Sequence, residues 1–305
     1  MMGSRRTSQA TEVDRLGAGM HRSARGDIQR TGESGNVTLL IIDPQNDFHP
    51  GGSLPIPSAD EDAQRIAAFI KKRGHEIDRI VITLDSHQHI HIAHSIFWVN
   101  EHGCNPPPFT IITKEDVASQ KWRAADPARQ RDAMLYAQRL EEGGRFQLCI
   151  WPEHCIIGSP GHNVRPVIQT AVDEWAKTRM KEVVFVWKGQ NCLTEMYSAL
   201  RAEVVVASDP RTDLNTELLH LLQESRRLYI CGQALSHCVK CTVEDIVASY
   251  DPSRLETITI LRDGTSPVPT FEHVGDAFLD DMQRRGLDVR LIQEDGASLH
   301  DGSAS

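Results

Sequence analysis

The sequence predicts an α/β fold, a mostly parallel sheet flanked by helices on both faces. Short apolar runs rich in Val and Ile recur along the chain as VTLLII, RIVITL, VVFVW and LYIC, the pattern of strands buried on both sides. Segments of helical spacing separate them, the alternation that gives βαβ units with right-handed crossovers. Each run also stops at, or shortly before, a chemically capable residue: Asp43, Asp85, Lys188 and Cys238. In such sheets ligands bind beyond the carboxyl ends of the strands, so an acid, a possible metal ligand, an amine and a thiol are expected along one edge.

In chain order, strand 37–43 leads to a helix at about 60–73 and strand 79–84. A long irregular stretch follows, then a strand near 147–151, a helix at about 163–178 and strand 182–187. Helices at about 194–201 and 213–224 precede strand 227–231, and helix 238–250 precedes strand 256–261. A helix at about 271–286 and strand 288–292 complete the pattern. The stretch from His87 to Gly144 is long for a structureless loop, although DPARQRDAMLYAQRLEE inside it has helical spacing. Segments of this size carry function or are disordered, and the role of 88–146 stays open at this point.

One domain, 36–293, accounts for the strands and helices. Residues 1–35 are rich in Arg, Ser and Gly without apolar periodicity and read as a disordered tail, and 294–305 as a flexible one. A chain of 305 residues fits a single open sheet comfortably. The formal charge of −9 argues against a nucleic-acid partner, which needs a basic face, and leaves small neutral or cationic substrates open. No apolar stretch has the length to span a bilayer, and the start lacks a secretory segment. A cytoplasmic location is the expectation. Arginines between Arg5 and Arg30 hint at organelle targeting, but Glu12, Asp14, Asp27 and Glu33 break the acid-poor pattern of transit peptides. Seven scattered cysteines read as free thiols rather than a disulfide framework.

Cys238 opens the helical segment CVKCTVEDIVASY, with Gly232 free to form the turn before it. A thiol at a helix N-terminus feels the positive end of the dipole, which lowers its pKa. A free Cys in a helix is more often a small buried hydrophobe, and Cys241, which makes a CxxC with Cys238, reads as such a core residue. Lys188 ends an apolar run where an ammonium is partly desolvated, and a cation there favours a thiolate; the commoner case is a solvated strand-end lysine. Asp43 in IIDPQNDF can take a thiol proton and return it to a leaving amine, or can serve only the turn ahead of Pro44. Asp85 and His87, with His154 in WPEHC and further histidines at 89, 91 and 94, suit zinc, iron or manganese with positions left open. Spacing does not settle which histidines bind.

Five ordered segments, IIDPQNDFHPGGSLPI, TLDSHQHIHIAHSIFW, WPEHC, WKGQNCLTEMYSAL and CGQALSHCVKCTVEDI, resemble the signature blocks of nicotinamidases within the isochorismatase-like cysteine hydrolase superfamily. The match runs from about 37 to 292. The resemblance implies the isochorismatase-like hydrolase fold, with Asp43, Lys188 and Cys238 as catalytic triad and Asp85, His87 and His154 as ligands of a divalent metal, usually zinc, that holds a pyridine nitrogen. It implies a non-proline cis peptide in GQAL, an oxyanion hole at the backbone of Ala234 and Cys238, and a ring pocket at Phe48 and Tyr197, either of which could equally be core packing. A small-molecule amide as substrate, no nucleic-acid or membrane partner, and homo-oligomerisation follow as expectations. Two features depart from the pattern. Ser86 and Gln88 stand where members carry Trp and Pro, and the segment between His91 and Trp151 is longer than in compact bacterial members. The rival readings are an amidase of the same superfamily acting on a carbamoyl or ureido compound, and a catalytically silent metal-binding scaffold.

Overall fold

The computed structural model describes residues 36–292; the expected tails at 1–35 and 294–305 lie outside the described residues. Strands β1 (Asn36–Ile42), β2 (Arg79–Asp85), β7 (Val184–Lys188), β8 (Ser225–Gly232), β9 (Ile258–Leu261) and β10 (Asp288–Arg290) form one sheet in the order β10-β9-β8-β1-β2-β7. All its pairings are parallel. Two short antiparallel ribbons stand apart, β3 (Trp98–Val99) with β5 (Arg123–Ala124), and β4 (Ile111–Ile112) with β6 (Leu148–Cys149).

Alternation along the strands divides the core into two layers. In β1, Leu40 and Ile42 face one cluster, while Val37, Leu39 and Ile41 face the other. Four consecutive side chains here, Leu39 to Ile42, are fully buried, each contributing about 1.5–3 kcal/mol. Helices α1 (Ala59–Arg73) and α4 (Pro166–Arg179) cover the second layer. The first is covered by α3 (Gln130–Gly143), α5 (Thr216–Gln223), α6 (Lys240–Ser249) and α7 (Glu272–Arg284). The short α2 (Lys114–Ala118) starts with a capping box between Thr113 and Asp116. No described helix is long and apolar enough to cross a membrane.

The strand order reverses between β1 and β8, which makes the carboxyl ends of these neighbours a crevice. Gly232 ends β8 with φ of +110°, and a Cβ there would lie 2.0 Å from the Ile42 carbonyl oxygen. Only glycine lets the chain leave β8 so close to β1.

Three expectations are corrected. The run VVFVW forms the edge strand β7 rather than a fully buried one, with Phe185 and Trp187 45% and 50% exposed; because every residue in it is apolar, its pattern carries no sign of the open face. The strand near 147–151 is real but belongs to the β4–β6 ribbon, outside the main sheet. The helix expected at 194–201 is absent. Its backbone N–H groups are taken by other partners: Glu195 donates to the Tyr136 hydroxyl, Met196 to the Glu195 carboxylate and Ala199 to Thr242 Oγ1. The long 88–146 segment is ordered and built into the core through Trp98, Ile112, Tyr136 and Leu140.

Candidate active site

Asp43 follows β1 directly, with φ of 43° in the left-handed region, a conformation that persists only where its surroundings over-determine it. Thr83 supplies the restraint. Its hydroxyl donates to Asp43 Oδ1 at 2.6 Å and accepts from the Asp43 N–H at 3.0 Å. Lys188 closes β7 opposite Asp85 of β2. Its Nζ lies 2.9 Å from Asp43 Oδ2, 3.1 Å from Asp85 Oδ1, 3.0 Å from the Met196 carbonyl and 3.6 Å from Cys238 Sγ. Three side chains distant in sequence, Asp43, Asp85 and Cys238, therefore converge on one ammonium. Cys238 itself sits in the helical turn Leu235–Val239 that leads into α6, just after a cis peptide between Gln233 and Ala234.

All of these groups are buried, and burial sets their protonation. It pushes the Cys238 thiol well above its ordinary range; Lys188 opposes this, and Asp43 and Asp85 reinforce it. Burial thus outweighs the thiolate-favouring effect of the lysine. Burial likewise raises Asp43 despite the neighbouring ammonium, which makes this carboxylate a stronger proton acceptor. Lys188 resists the opposite pull of burial because two carboxylates flank it, and it stays charged.

The second oxygen of Asp85 faces histidines. Oδ2 lies 3.0 Å from His87 Nε2 and 3.4 Å from His154 Nε2. In each of these rings Nδ1 meets a backbone carbonyl, Gly189 for His87 at 3.1 Å and Pro152 for His154 at 2.8 Å, which assigns the proton to Nδ1 and turns the Nε2 lone pair inward. Ligand atoms of Asp85, His87 and His154 lie within 4.8 Å of one another. Burial would lower His87, but the Asp85 carboxylate outweighs it and raises the ring to about 9, so the pocket calls for a positive charge. Donor chemistry, tautomers and charge all fit a divalent metal. A second grouping of His87, His91 and Glu195 does not. His91 spends both nitrogens, Nδ1 accepting from the Ala93 N–H and Nε2 meeting the Thr194 carbonyl.

Four further residues border this site, of which Glu195, Gln45 and Asp47 escaped the sequence reading. His94, one of the histidines the sequence singled out, bonds the His89 carbonyl through Nδ1 and leaves a buried Nε2 without a hydrogen-bond partner beside His87 and His154. Glu195 is a buried carboxylate 3.9 Å from His87 Nε2. Gln45 pins Asp85 by a reciprocal pair, Nε2 donating to the Asp85 carbonyl and Oε1 accepting its N–H, both at 2.7 Å. Asp47 accepts the Cys155 N–H at 2.7 Å next to His154. Nothing in their spacing distinguishes these polar residues from turn formers. Gly189 is required by contact: a Cβ there would lie 2.6 Å from Asp85 Oδ1.

Phe48 packs edge-on against His154 at 5.5 Å, and the buried Tyr197 accepts a hydrogen bond from Trp151 Nε1 at 3.0 Å. Ser86, where the resembling family carries Trp, turns its hydroxyl to His162 at 2.8 Å, while Gln88 is exposed. The seven cysteines are free. His237, beside the nucleophile position, is held to about 3 by burial, with Lys240 adding to the effect. An unfolded histidine titrates near 6.5, so this group contributes stability above pH 6.5 that is lost as pH falls toward 3. Between pH 7 and pH 5 the expected loss is about 2 kcal/mol. Urea unfolding of His237→Asn at both pH values should show a shallower dependence than the unsubstituted protein; equal slopes would refute a neutral buried ring.

No family model matches the chain. In sequence it is 27% identical over 218 residues to the nicotinamidase of Acinetobacter baylyi, covering 71% of this chain and 77% of the relative. The solved nicotinamidase/pyrazinamidase of Acinetobacter baumanii superposes with a TM-score of 0.56 at 20% identity, over 86% of this chain and 99% of the other. The pyrazinamidase of Pyrococcus horikoshii, solved in complex with zinc, gives 0.50 at 20% identity over 84% and 99%. The fold is the one that these solved nicotinamidases and pyrazinamidases share. In sequence the chain is similar to nicotinamidases, the second of them that of Escherichia coli at 25% identity over 214 residues, 68% of this chain and 74% of the relative.

Proposed function

We propose that this chain is an amidohydrolase that converts nicotinamide, or a closely related ring carboxamide, to the acid and ammonia through a cysteine thioester. The observation that carries it is the position of Lys188 Nζ, within 2.9–3.6 Å of Asp43, Asp85 and Cys238, which joins a nucleophile to a set of metal donors. Asp43 takes the proton of the Cys238 thiol, and the sulfur attacks the carboxamide carbon. The developing oxyanion is stabilised by backbone N–H groups at Ala234 and Cys238. Asp43 then returns its proton to the departing nitrogen, the C–N bond breaks, and ammonia leaves a thioester. Water, deprotonated by the same carboxylate, cleaves the C–S bond and restores the thiol. Asp85, His87 and His154 would hold a divalent metal, zinc foremost with iron or manganese as alternatives, which when bound supplies a Lewis-acid anchor for a ring nitrogen. The Lys188 charge keeps both aspartates ionised next to one another.

The nicotinamidase relative and the zinc-bound pyrazinamidase support this reading over a carbamoyl or ureido amidase, and the intact donor set supports it over a silent scaffold. Homo-oligomerisation and a cytoplasmic location remain part of the proposal. Ammonia release from nicotinamide, pyrazinamide and a ureido compound, with and without a chelator, tests it. Release from the two ring amides, lost on chelation and restored by zinc, is expected. Release from the ureido compound alone would establish the rival amidase.

A further inference from the structure

His237 is the residue before Cys238, and its imidazole lies at the centre of an aromatic column. Trp151 and Tyr197 meet it edge-on at 5.2 and 5.3 Å. Phe271 does so at 4.8 Å, and Phe146 stacks on it at 5.4 Å with only 17° between the planes. Trp151, Tyr197 and His237 are buried, whereas Phe146 and Phe271 are half-buried, so the column runs outward and Phe146 stands at its solvent end. Cys238, the next residue along the chain from His237, is 5% exposed. Phe146 also packs edge-on against Tyr197 at 4.9 Å and carries the Lys240 ammonium 5.4 Å from its ring centre.

The backbone that presents Phe146 is a short strap. It begins where α3 ends at Gly143–Gly144, the latter with φ of 67°, and rejoins regular structure at β6. Arg145 anchors it to α6, the helix that follows the nucleophile: the guanidinium lies 2.8 Å from Asp245 Oδ1, 3.2 Å from Glu244 Oε2 and 3.6 Å from Glu203 Oε1. A partly desolvated guanidinium shared by three carboxylates is a firm pin, and the residue beside it is therefore held at one place over the column. The mechanism leaves this clamp unused.

We infer that Phe146 is a specificity-determining residue: the strap pins its ring against His237 and Tyr197, and the ring restricts access to Cys238 to flat, small ring amides. The inference rests on the ring-amide reading of the site. A ring held by two aromatic faces and a cation resists displacement, and an acyl group larger than a single ring must displace it. Neither Phe146 nor Arg145 stood out in the sequence, because both lie in the long segment without a motif.

The test is a size series, Phe146→Ala and Phe146→Trp, with two readouts. The first is the ratio of kcat/KM for quinoline-3-carboxamide to that for nicotinamide. The second is the rate of iodoacetamide alkylation at Cys238, read from the peptide mass. Phe146→Ala should raise both on the order of tenfold, the scale of two aromatic contacts and a cation contact, and Phe146→Trp should lower both. Invariance across the three side chains, or an order unrelated to ring size, would overturn the inference. Alkylation needs no substrate, so failure of the ring-amide reading, seen as no ammonia from any ring amide, is distinguishable from failure of the Phe146 role. Should Phe146→Ala unfold, Phe146→Trp carries the test alone.

Discussion

Replacing Cys238 by Ala is expected to abolish ammonia release, by about ten-thousandfold or more, because the proposed acyl bond forms on its sulfur. The substitution removes one buried atom next to Lys188 and leaves the Asp43–Lys188–Asp85 arrangement intact. Folding should therefore survive, and the variant should keep its urea midpoint within a small margin. Mass spectrometry of the quenched reaction should show the acyl adduct in the unsubstituted protein and none in Cys238→Ala. The neighbouring thiol separates this mechanism from a redox pair. Cys241 is fully buried in the first core layer, and Cys241→Ala should retain turnover. Full amidase activity in Cys238→Ala would end the thioester mechanism.

The second large effect is expected from Lys188→Met. Lys188 is buried and is shared by two buried carboxylates, Asp43 at 2.9 Å and Asp85 at 3.1 Å. Met fills much of the same volume, so the change isolates the charge. Loss of one partner from a buried ionic group costs about 3–5 kcal/mol, most of it from the charges left behind. Two carboxylates of like sign then face each other in a medium that disfavours either one ionised, and their pKa values rise. The folded state of the variant binds more protons than its unfolded state over the carboxylate range upward, so its stability increases as pH falls into that range. Urea unfolding at pH 7.5 and pH 5 should show a deficit that narrows at the lower pH, together with loss of amidase activity at both. A midpoint equal to that of the unsubstituted protein at pH 7.5 would mean that Lys188 is not the common counterion of the two aspartates.

The sheet and most of the reactive constellation were legible in the sequence for one reason. A parallel strand covered on both faces is a continuous apolar run, and its carboxyl end is the first place where a polar residue can emerge. Asp43, Asp85 and Lys188 stand out because each interrupts such a run. The same rule fails at β7, where Phe185 and Trp187 are apolar although half-exposed, since an edge strand reads like a central one when its open face is aromatic. It fails at 194–201 because side-chain acceptors from α3 and α6 claim the backbone donors that a helix would have used. Gln45, Asp47 and Glu195 were invisible for a further reason. Their roles consist of contacts with residues 40 to 108 positions away, and no local pattern encodes such distances. Helix position and a nearby amine, which favour a Cys238 thiolate, are visible in a sequence, whereas the depth of burial that raises the thiol is not.

Asp85 gives one oxygen to Lys188 and the other to the histidines. A designer who retunes this carboxylate for a different ion would thereby alter the field at the sulfur, and one who weakens the ammonium would loosen the grip on the ion. The two halves of the reaction centre cannot be optimised independently, and useful variants should arise as compensating pairs rather than as single replacements.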